Sequence, residues 1–539
     1  MRTLLSTLLL GLSLFSASTW SATPGDIRQS GFVYCVNGAV TTFNPQMASG
    51  GLVVDTLAAQ LYDRLLDVDP YTYRLIPELA ESWEVLDNGA TYRFHLRHNV
   101  HFQKTAWFAP TRTLNADDVV FSFQRIFDRQ SAWHNVNGGS YPYFDSLQFA
   151  DAVKSVKKLD SDTVEIRLRS PDASFLWHVA THYAPVLSAE YAGQLTAADR
   201  QEQLDRQPVG TGPFLLSEYR TGQYIRLARN PVYWKGLPRM PQVVIDMGAG
   251  GTGRLSKLLT GECDVLAYPA ASQISILRDD PRLRLTLRPG MNIAYLAFNT
   301  RKAPLDRVEV RQALALAINN ERLMESIYYG TAETAASLLP RASWAYDNDA
   351  RVTEYNPKKA LAELKALGVE DLHLTLWVPS ASQSWNPSPL KTAELIQADL
   401  AQVGVTVKII PVEGRFQEAR LMQMNHDLTL TGWATDSNDP DSFFRPLLSC
   451  AAMGSQTNYA HWCDTQFDEV LHKALLSQQL ASRIDYYDRA QKMLAQSLPV
   501  LPLAYSLRLQ AYRHDIKGLV LSPFGNASFA GVHREKGEE

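Results

Sequence analysis

Hydrophobic and polar residues change rhythm repeatedly along this chain, and the changes predict strands and helices in turn. Tyr92, Phe94 and Leu96 alternate with Arg93, His95 and Arg97; Val164, Ile166 and Leu168 alternate with Glu165, Arg167 and Arg169. A two-residue period puts one set on a buried face and the other toward water, so both stretches predict half-buried strands. Between them, Asn115-Ala-Asp-Asp118 opens a helix that runs through Val119, Val120 and Phe123. Asn115 suits the N-cap, where its side chain accepts from the first free N–H groups, and Asp117 and Asp118 suit the positive end of the helix dipole.

A second unit begins near residue 286. Ile293 to Phe298 predicts a strand, and Val310, Ala313, Leu314, Ala317 and Ile318 recur at helical spacing. Leu372 to Val378 predicts another strand. Ile396, Leu400 and Val403 then mark a helix, Gly404 stops it, and Val405, Val407 and Ile409 form the next strand. Strand–helix–strand order predicts α/β units. From about Leu503 the pattern is strand-like again. A chain that leaves one domain, builds a second and returns has two crossover strands, which is a hinge architecture.

Composition narrows the class. The chain has 539 residues, 45% of them hydrophobic, enough for two or three domains. A formal net charge of −4 leaves no basic footprint for nucleic acid. Met1 and Arg2 precede an apolar run from Leu4 to Phe15 and the small residues Ser16, Ala17, Ser18, Ser21 and Ala22. That pattern predicts a secretory signal peptide over residues 1–22, cleaved between Ser18 and Ala22 and too short to span a membrane. Cys35 follows Phe-Val-Tyr with no lipobox, so a soluble exported protein rather than a lipoprotein is expected.

Four cysteines fit an oxidising compartment. Three pairings are possible. Cys450 and Cys463 are close, so a local bridge is the simplest proposal, which leaves Cys35 with Cys263. Zinc-ligand spacing is absent.

Two motifs invite chemistry. Gly248-Ala-Gly-Gly-Thr-Gly253 matches GxGxxG between a strand-like Val243–Met247 and a helical Arg254–Leu259. No βαβ unit with an acidic strand end follows, so it reads as a glycine-rich turn rather than a dinucleotide site. His95, His98 and His101 recur at every third residue, a spacing that suits neither one strand face nor zinc, and they read as surface or turn residues. With neither HExxH nor GxSxG present, nothing nominates a nucleophile; neither catalysis nor a cofactor or metal is expected.

The most informative segment is Gly432-Trp433-Ala434-Thr435-Asp436. It places one carboxylate just after an apolar run and a large aromatic. Taken alone, it reads either as a loop in which Asp436 and Asp439 form Asx-turns or as a site for a cationic or amino group.

Several segments together resemble one family. They are Leu79-Ala-Glu-Ser-Trp-Glu-Val85, Thr91-Tyr-Arg-Phe-His-Leu-Arg97, Leu114-Asn-Ala-Asp-Asp-Val-Val-Phe121, Pro208-Val-Gly-Thr-Gly-Pro213, Leu296-Ala-Phe-Asn299 and the Gly-Trp-Ala-Thr-Asp run. In this order they resemble the extracellular solute-binding proteins of family 5, the oligopeptide and dipeptide binders of bacterial importers. The run Trp433–Phe444 and the tail Ile516–Phe529 are similar to members associated with antimicrobial-peptide uptake.

The resemblance implies an α/β, two-lobed periplasmic binding protein of the cluster C type, with an extra subdomain in a large first lobe and a hinge between the lobes. Residues 23–285 plus 505–539 would form the first lobe and 286–504 the second. It implies the bridges Cys35–Cys263 and Cys450–Cys463. It implies that Asp436 takes a peptide's α-amino group, that Gly432, Trp433, Ala434 and Thr435 lie along the peptide backbone, and that Ser49, in Ala48-Ser-Gly-Gly51, contacts ligand from the first lobe.

One departure matters. Dipeptide binders carry an arginine for the ligand carboxylate before an Asn-Pro; here Gln383 occupies that place in Gln383-Ser384-Trp385-Asn386-Pro387. Glutamine lacks the bidentate cationic fork, so a strict dipeptide clamp is not expected. Longer peptides, or ligands without a free carboxylate, are expected instead, with Gln383 and Ser384 at the site and Trp385 either a wall of it or a core residue. The expected role is a monomeric periplasmic binding component that hands peptides, antimicrobial peptides among them, to inner-membrane ABC permease subunits. The alternative keeps the fold and binds haem, a nickel chelate or another non-peptide cargo.

Overall fold

The computed structural model describes residues 27, 30–369, 371–412, 425–435, 437–454, 457–526 and 528–535. The predicted signal peptide and Asp436 lie outside the described residues.

The two alternating stretches form Thr91–Leu96 and Thr163–Leu168, paired antiparallel with Phe94 opposite Val164. Tyr92, Phe94, Val164 and Ile166 are buried, while Arg93 reaches Glu84 and Glu165. With Ala80–Leu86 and Val153–Lys158 they complete a four-stranded sheet. The helix Ala116–Phe127 packs on this sheet and begins with a capping box. Asn115 Oδ1 accepts from Asp117 N at 2.9 Å, and Asp118 Oδ2 accepts from Asn115 N at 3.0 Å. Asp118, fully buried, is also gripped by both terminal nitrogens of Arg112 at 2.6 and 2.8 Å.

A twelve-stranded mixed sheet runs through the molecule. Its main path is Thr406–Val412, His373–Pro379, Leu428–Ala434, Asn292–Phe298, Val500–Arg513, Val265–Ala267, Gly31–Cys35, Gln242–Asp246, Tyr224–Arg229 and Phe214–Arg220. The 14-residue strand Val500–Arg513 lies in the middle of this path and joins its two halves. Its first part pairs with Asn292–Phe298 and its last part with Leu283–Pro289 and Val265–Ala267. The chain therefore crosses outward around Gly290 and returns alongside. The expected lobe boundaries, near 286 and 504, lie on the strands Leu283–Pro289 and Val500–Arg513 of this α/β fold.

At the crossover the Asn292 side chain makes two bonds to the Ser506 main chain, Nδ2 donating to O at 2.8 Å and Oδ1 accepting from N at 2.9 Å. Gly290 is required there: a β-carbon would lie 2.1 Å from Asn292 Nδ2 and 3.0 Å from Ser506 O.

In the second unit the expected helix is Val308–Leu316, which carries Val310, Ala313 and Leu314; Ala317 and Ile318 lie just past its end, and all five pack with Leu296, Phe298, Leu376 and Ile396 in one core. His373–Pro379 and Thr406–Val412 pair in parallel, joined by the helix Pro389–Ala401. The helix stops before Val403, and Gly404 takes a left-handed φ of 81° in the turn. The returning strand begins at Val500, ahead of the expected Leu503, because the strand-compatible Val500 and Leu501 are already paired with Ala297 and Leu296. Both expected disulfides are present, Cys35–Cys263 and Cys450–Cys463.

The GxGxxG segment is a turn into the helix Gly251–Thr260, which starts inside the motif rather than at Arg254. Asp246, at the end of the preceding strand, accepts from Gly248 N at 2.8 Å and pairs with Lys257. A carboxylate at this turn opposes a phosphate electrostatically. His95 pairs with Glu84 and His98 with Asp162, and the described residues hold no group of three or more metal-ligand side chains.

Candidate functional site

The strand Leu428–Ala434 carries the expected site. It pairs antiparallel with Asn292–Phe298 along its whole length, but with His373–Pro379 only at Leu428 and Thr429. Its second edge is left without a strand partner among the described residues from Leu430 onward. Just beyond the strand, Thr435 N donates to Met291 O at 3.0 Å. Antiparallel alternation then turns the main-chain groups of Gly432 and Ala434 toward the open edge.

Gly432 is fixed by its neighbour. A β-carbon at this position would sit 2.2 Å from Trp385 Cδ2 and 2.6 Å from Ile293 O. Trp385 is buried, at 8% exposure, beside Ala294, Ile327, Tyr328 and Ala504. Its carbonyl accepts from Tyr328 Oη at 3.2 Å and Ser506 Oγ at 2.8 Å. Of the two readings open for Trp385, the core contacts are the ones present: the ring braces the strand from one side. Gln383 and Asn386 exchange main-chain bonds at 2.8 and 3.2 Å, making a tight turn that projects the half-buried Gln383 and Ser384. The Gln383 amide donates to Ala381 O at 3.3 Å.

After the strand, side chains bond main-chain N–H groups two residues on in a continuous series. Ser437 N donates to Thr435 Oγ1 at 3.0 Å, Asp439 N to Ser437 Oγ at 3.1 Å and Asp441 N to Asp439 Oδ1 at 3.0 Å. Asp439 thus makes the expected Asx-turn; the turn expected of Asp436 falls outside the described residues. Trp433 Nε1 donates to Ser442 O at 2.8 Å, tying the strand to the helix Asp441–Leu448 that follows.

Buried charge holds this segment from beneath. Both oxygens of Asp439 accept from Arg483 Nη2 at 2.8 Å, and Tyr487 Oη lies 2.9 Å from the same nitrogen. Burial pushes the Asp439 carboxyl up, and the Arg483 guanidinium works against that. Burial would raise the Asp441 carboxyl too, but the Arg445 guanidinium and His178 reverse the effect and hold it down at about 2.

The opposite wall is reached through this charge. His178 lies 3.2 Å from Asp441 and 2.8 Å from Tyr143 Oη, and Arg445 reaches Asp172 at 3.3 Å. Tyr143 stacks on Tyr183 with ring centroids 4.3 Å apart, and Gly50 lies beside the Tyr183 hydroxyl. The turn holding the exposed Ser49 is therefore linked through three aromatic rings to Asp441. A second link runs from Asn438 Nδ2 to Tyr73 O at 3.3 Å. The structure thus brings Gly432 together with Trp385, and joins the Ser49 turn and the 435–441 segment through intermediaries.

The chain as a whole is similar to known proteins. The model for bacterial extracellular solute-binding proteins, family 5 (Middle), matches residues 74–455. The chain belongs to family 5. Among its relatives, the peptide transport periplasmic protein SapA of Salmonella typhimurium is 76% identical over 545 residues, covering 100% of this chain and 99% of that protein. Heme-binding protein A of Haemophilus influenzae is 38% identical and covers 93% of this chain and 92% of its own length. Among solved structures, the dipeptide-binding protein from Pseudoalteromonas sp. in complex with Met-Leu superposes with a TM-score of 0.90 at 40% identity, covering 94% of this chain and 100% of that one.

Sequence reasoning missed several residues that hold the segment following the strand Leu428–Ala434. Arg483, Tyr487, His178 and Arg445 give no local signal, because each finds its partner by folding rather than by spacing; Arg445 alone stands at i+4 from its aspartate, Asp441. The pressure of Trp385 on Gly432 is likewise a contact between segments 47 residues apart.

Proposed function

We propose that this protein is the periplasmic substrate-binding component of an ABC peptide importer, closing its two lobes over a peptide and presenting it to membrane permease subunits. The observation that carries this reading is the open edge of Gly432–Ala434. An extended peptide adds there as a strand, and main-chain bonds give affinity without choosing side chains.

Asp436 supplies the polarity of binding. A peptide α-amino group, with a pKa of about 7.7–8.0, is largely cationic near neutral pH. At about 4 Å and an effective dielectric near 20 its gross attraction to a carboxylate is about 4 kcal/mol, reduced by desolvation of both groups. Ser49 contributes from the first lobe and Gln383 and Ser384 from the second. The name of the SapA relative supports peptide as cargo and the periplasm as the compartment. No described helix is long and apolar enough to cross a membrane.

A second reading, haem or another non-peptide cargo on the same fold, is favoured by Gln383 and by the likeness to heme-binding protein A. Native mass spectrometry of protein purified without denaturation separates the two. A ladder of peptide masses supports the first; a single mass that is not a peptide contradicts it.

A further inference from the structure

Arg508 is 7% exposed and lies on the returning strand at the crossover between the lobes. Among the described residues no carboxylate lies within ion-pair distance of it. One terminal nitrogen donates to the Tyr268 hydroxyl, and the guanidinium lies 5.4 Å from the centroid of the same ring. Its Nε is buried with no hydrogen-bond partner. Asp55 acts electrostatically on Tyr268 without forming an ion pair with Arg508. A buried guanidinium is costly to desolvate and is ordinarily matched by an anion. Here the protein supplies a phenol and leaves a donor unused.

The position gives this unused donor a meaning. Residues two apart share a strand face, so Arg508 lies on the face of Ser506, about 6.6 Å along the strand. Ser506 Oγ donates to the carbonyl of Trp385, whose ring presses on Gly432. Arg508 is therefore the next side chain along from the group bracing the peptide-carrying strand. It is also packed against the crossover glycine, since a β-carbon on Gly290 would lie 3.1 Å from Arg508 Cγ. No arginine stands at Gln383, yet a cation with a free donor waits two residues beyond Ser506.

We propose that Arg508, with the Tyr268 hydroxyl, forms an anion-recognising site at the crossover between the lobes and takes a carboxylate of the bound peptide. This rests on the peptide reading above. The fork of a guanidinium matches a carboxylate, and a site closed off by the lobes strengthens the charge-assisted bonds. The carboxylate is either the peptide's C-terminus or an acidic side chain.

Isothermal titration of the wild type and Arg508→Gln with four probes tests this. They are tetra-alanine with a free carboxylate, tetra-alanine amide, and two tetrapeptide amides differing only by Glu or Gln at the third residue. In the wild type, one carboxylate-bearing probe binds about tenfold tighter than its neutral partner. A preference for free acid over amide identifies the C-terminus; a preference for Glu over Gln identifies a side chain. In Arg508→Gln that ratio falls to about twofold or less while the neutral probes bind as before. Tyr268→Phe, which removes the hydroxyl that holds the guanidinium in place and itself donates to the anion, also lowers the ratio. A ratio retained in both variants, or the absence of any carboxylate preference in the wild type, overturns the site. Failure of the wild type to bind any of the four probes defeats the peptide reading itself.

Discussion

The indole of Trp385 lies so close over Gly432 that a β-carbon there would come within 2.2 Å of a ring atom. The strand expected to hold the peptide is thus pinned by a side chain from another segment. Gly432→Ala must displace the ring or the strand, and is expected to cost about 1–3 kcal/mol as an overpacking substitution. Urea denaturation measures this. Trp385→Ala in the same chain removes the collision, so the double variant is expected to lose less than the sum of the two single losses; strict additivity would refute the contact.

The Asp439–Arg483 pair anchors the segment that follows the strand. Removing one partner leaves a buried charge alone, so Asp439→Ala is expected to destabilise the protein by about 3–5 kcal/mol. Replacing both residues with apolar ones is expected to recover most of that loss. Equal denaturation midpoints for wild type and Asp439→Ala would contradict this role.

These two relationships mark the limit of what the sequence could tell. The alternations at Tyr92–Leu96 and Val164–Leu168 and the helix after Asn115 were legible because burial of one face writes a period into the chain. The crossover was legible as a return to strand pattern near Leu503. The Gly-Trp-Ala-Thr-Asp segment was legible only with its family resemblance. By contrast, Arg483 under Asp439, His178 against Asp441 and Trp385 on Gly432 are meetings of distant segments, and no local pattern encodes them.

His426 gives the stability a pH dependence. It is fully buried, with Nε2 2.8 Å from Tyr459 O and Nδ1 without a partner. Burial lowers its pKa from 6.5 to about 4, helped by His461 and Lys302 and opposed by the Tyr459 carbonyl and Asp427. Below pH 6.5 the unfolded chain takes up a proton that the folded one refuses, so stability is present above that pH and is lost as pH falls toward 4. The loss is on the order of 3 kcal/mol. Thermal melts from pH 7 to pH 4 are expected to fall less steeply in His426→Gln; parallel curves would contradict the assignment.

The Cys450–Cys463 bridge closes a short loop behind the helix Asp441–Leu448. A loop of this size is worth about 3 kcal/mol through the unfolded chain. Replacing both cysteines by serine is expected to lower the unfolding free energy by about that amount under oxidising conditions, seen as a lower denaturation midpoint, and to leave a protein indifferent to further reduction at this bridge. An unchanged midpoint would show that the bridge carries no stability.

Recognition of a peptide's amino end is tested most directly by titrating one peptide in two forms. Tetra-alanine with a free amino group and its N-acetyl derivative differ only at the amino end, where acetylation replaces the cationic amine with a neutral amide. The free form is expected to bind the wild type about tenfold or more tightly than the acetylated form, and Asp436→Asn to abolish the difference. Equal affinity of the two forms for the wild type would contradict capture of the peptide through Asp436.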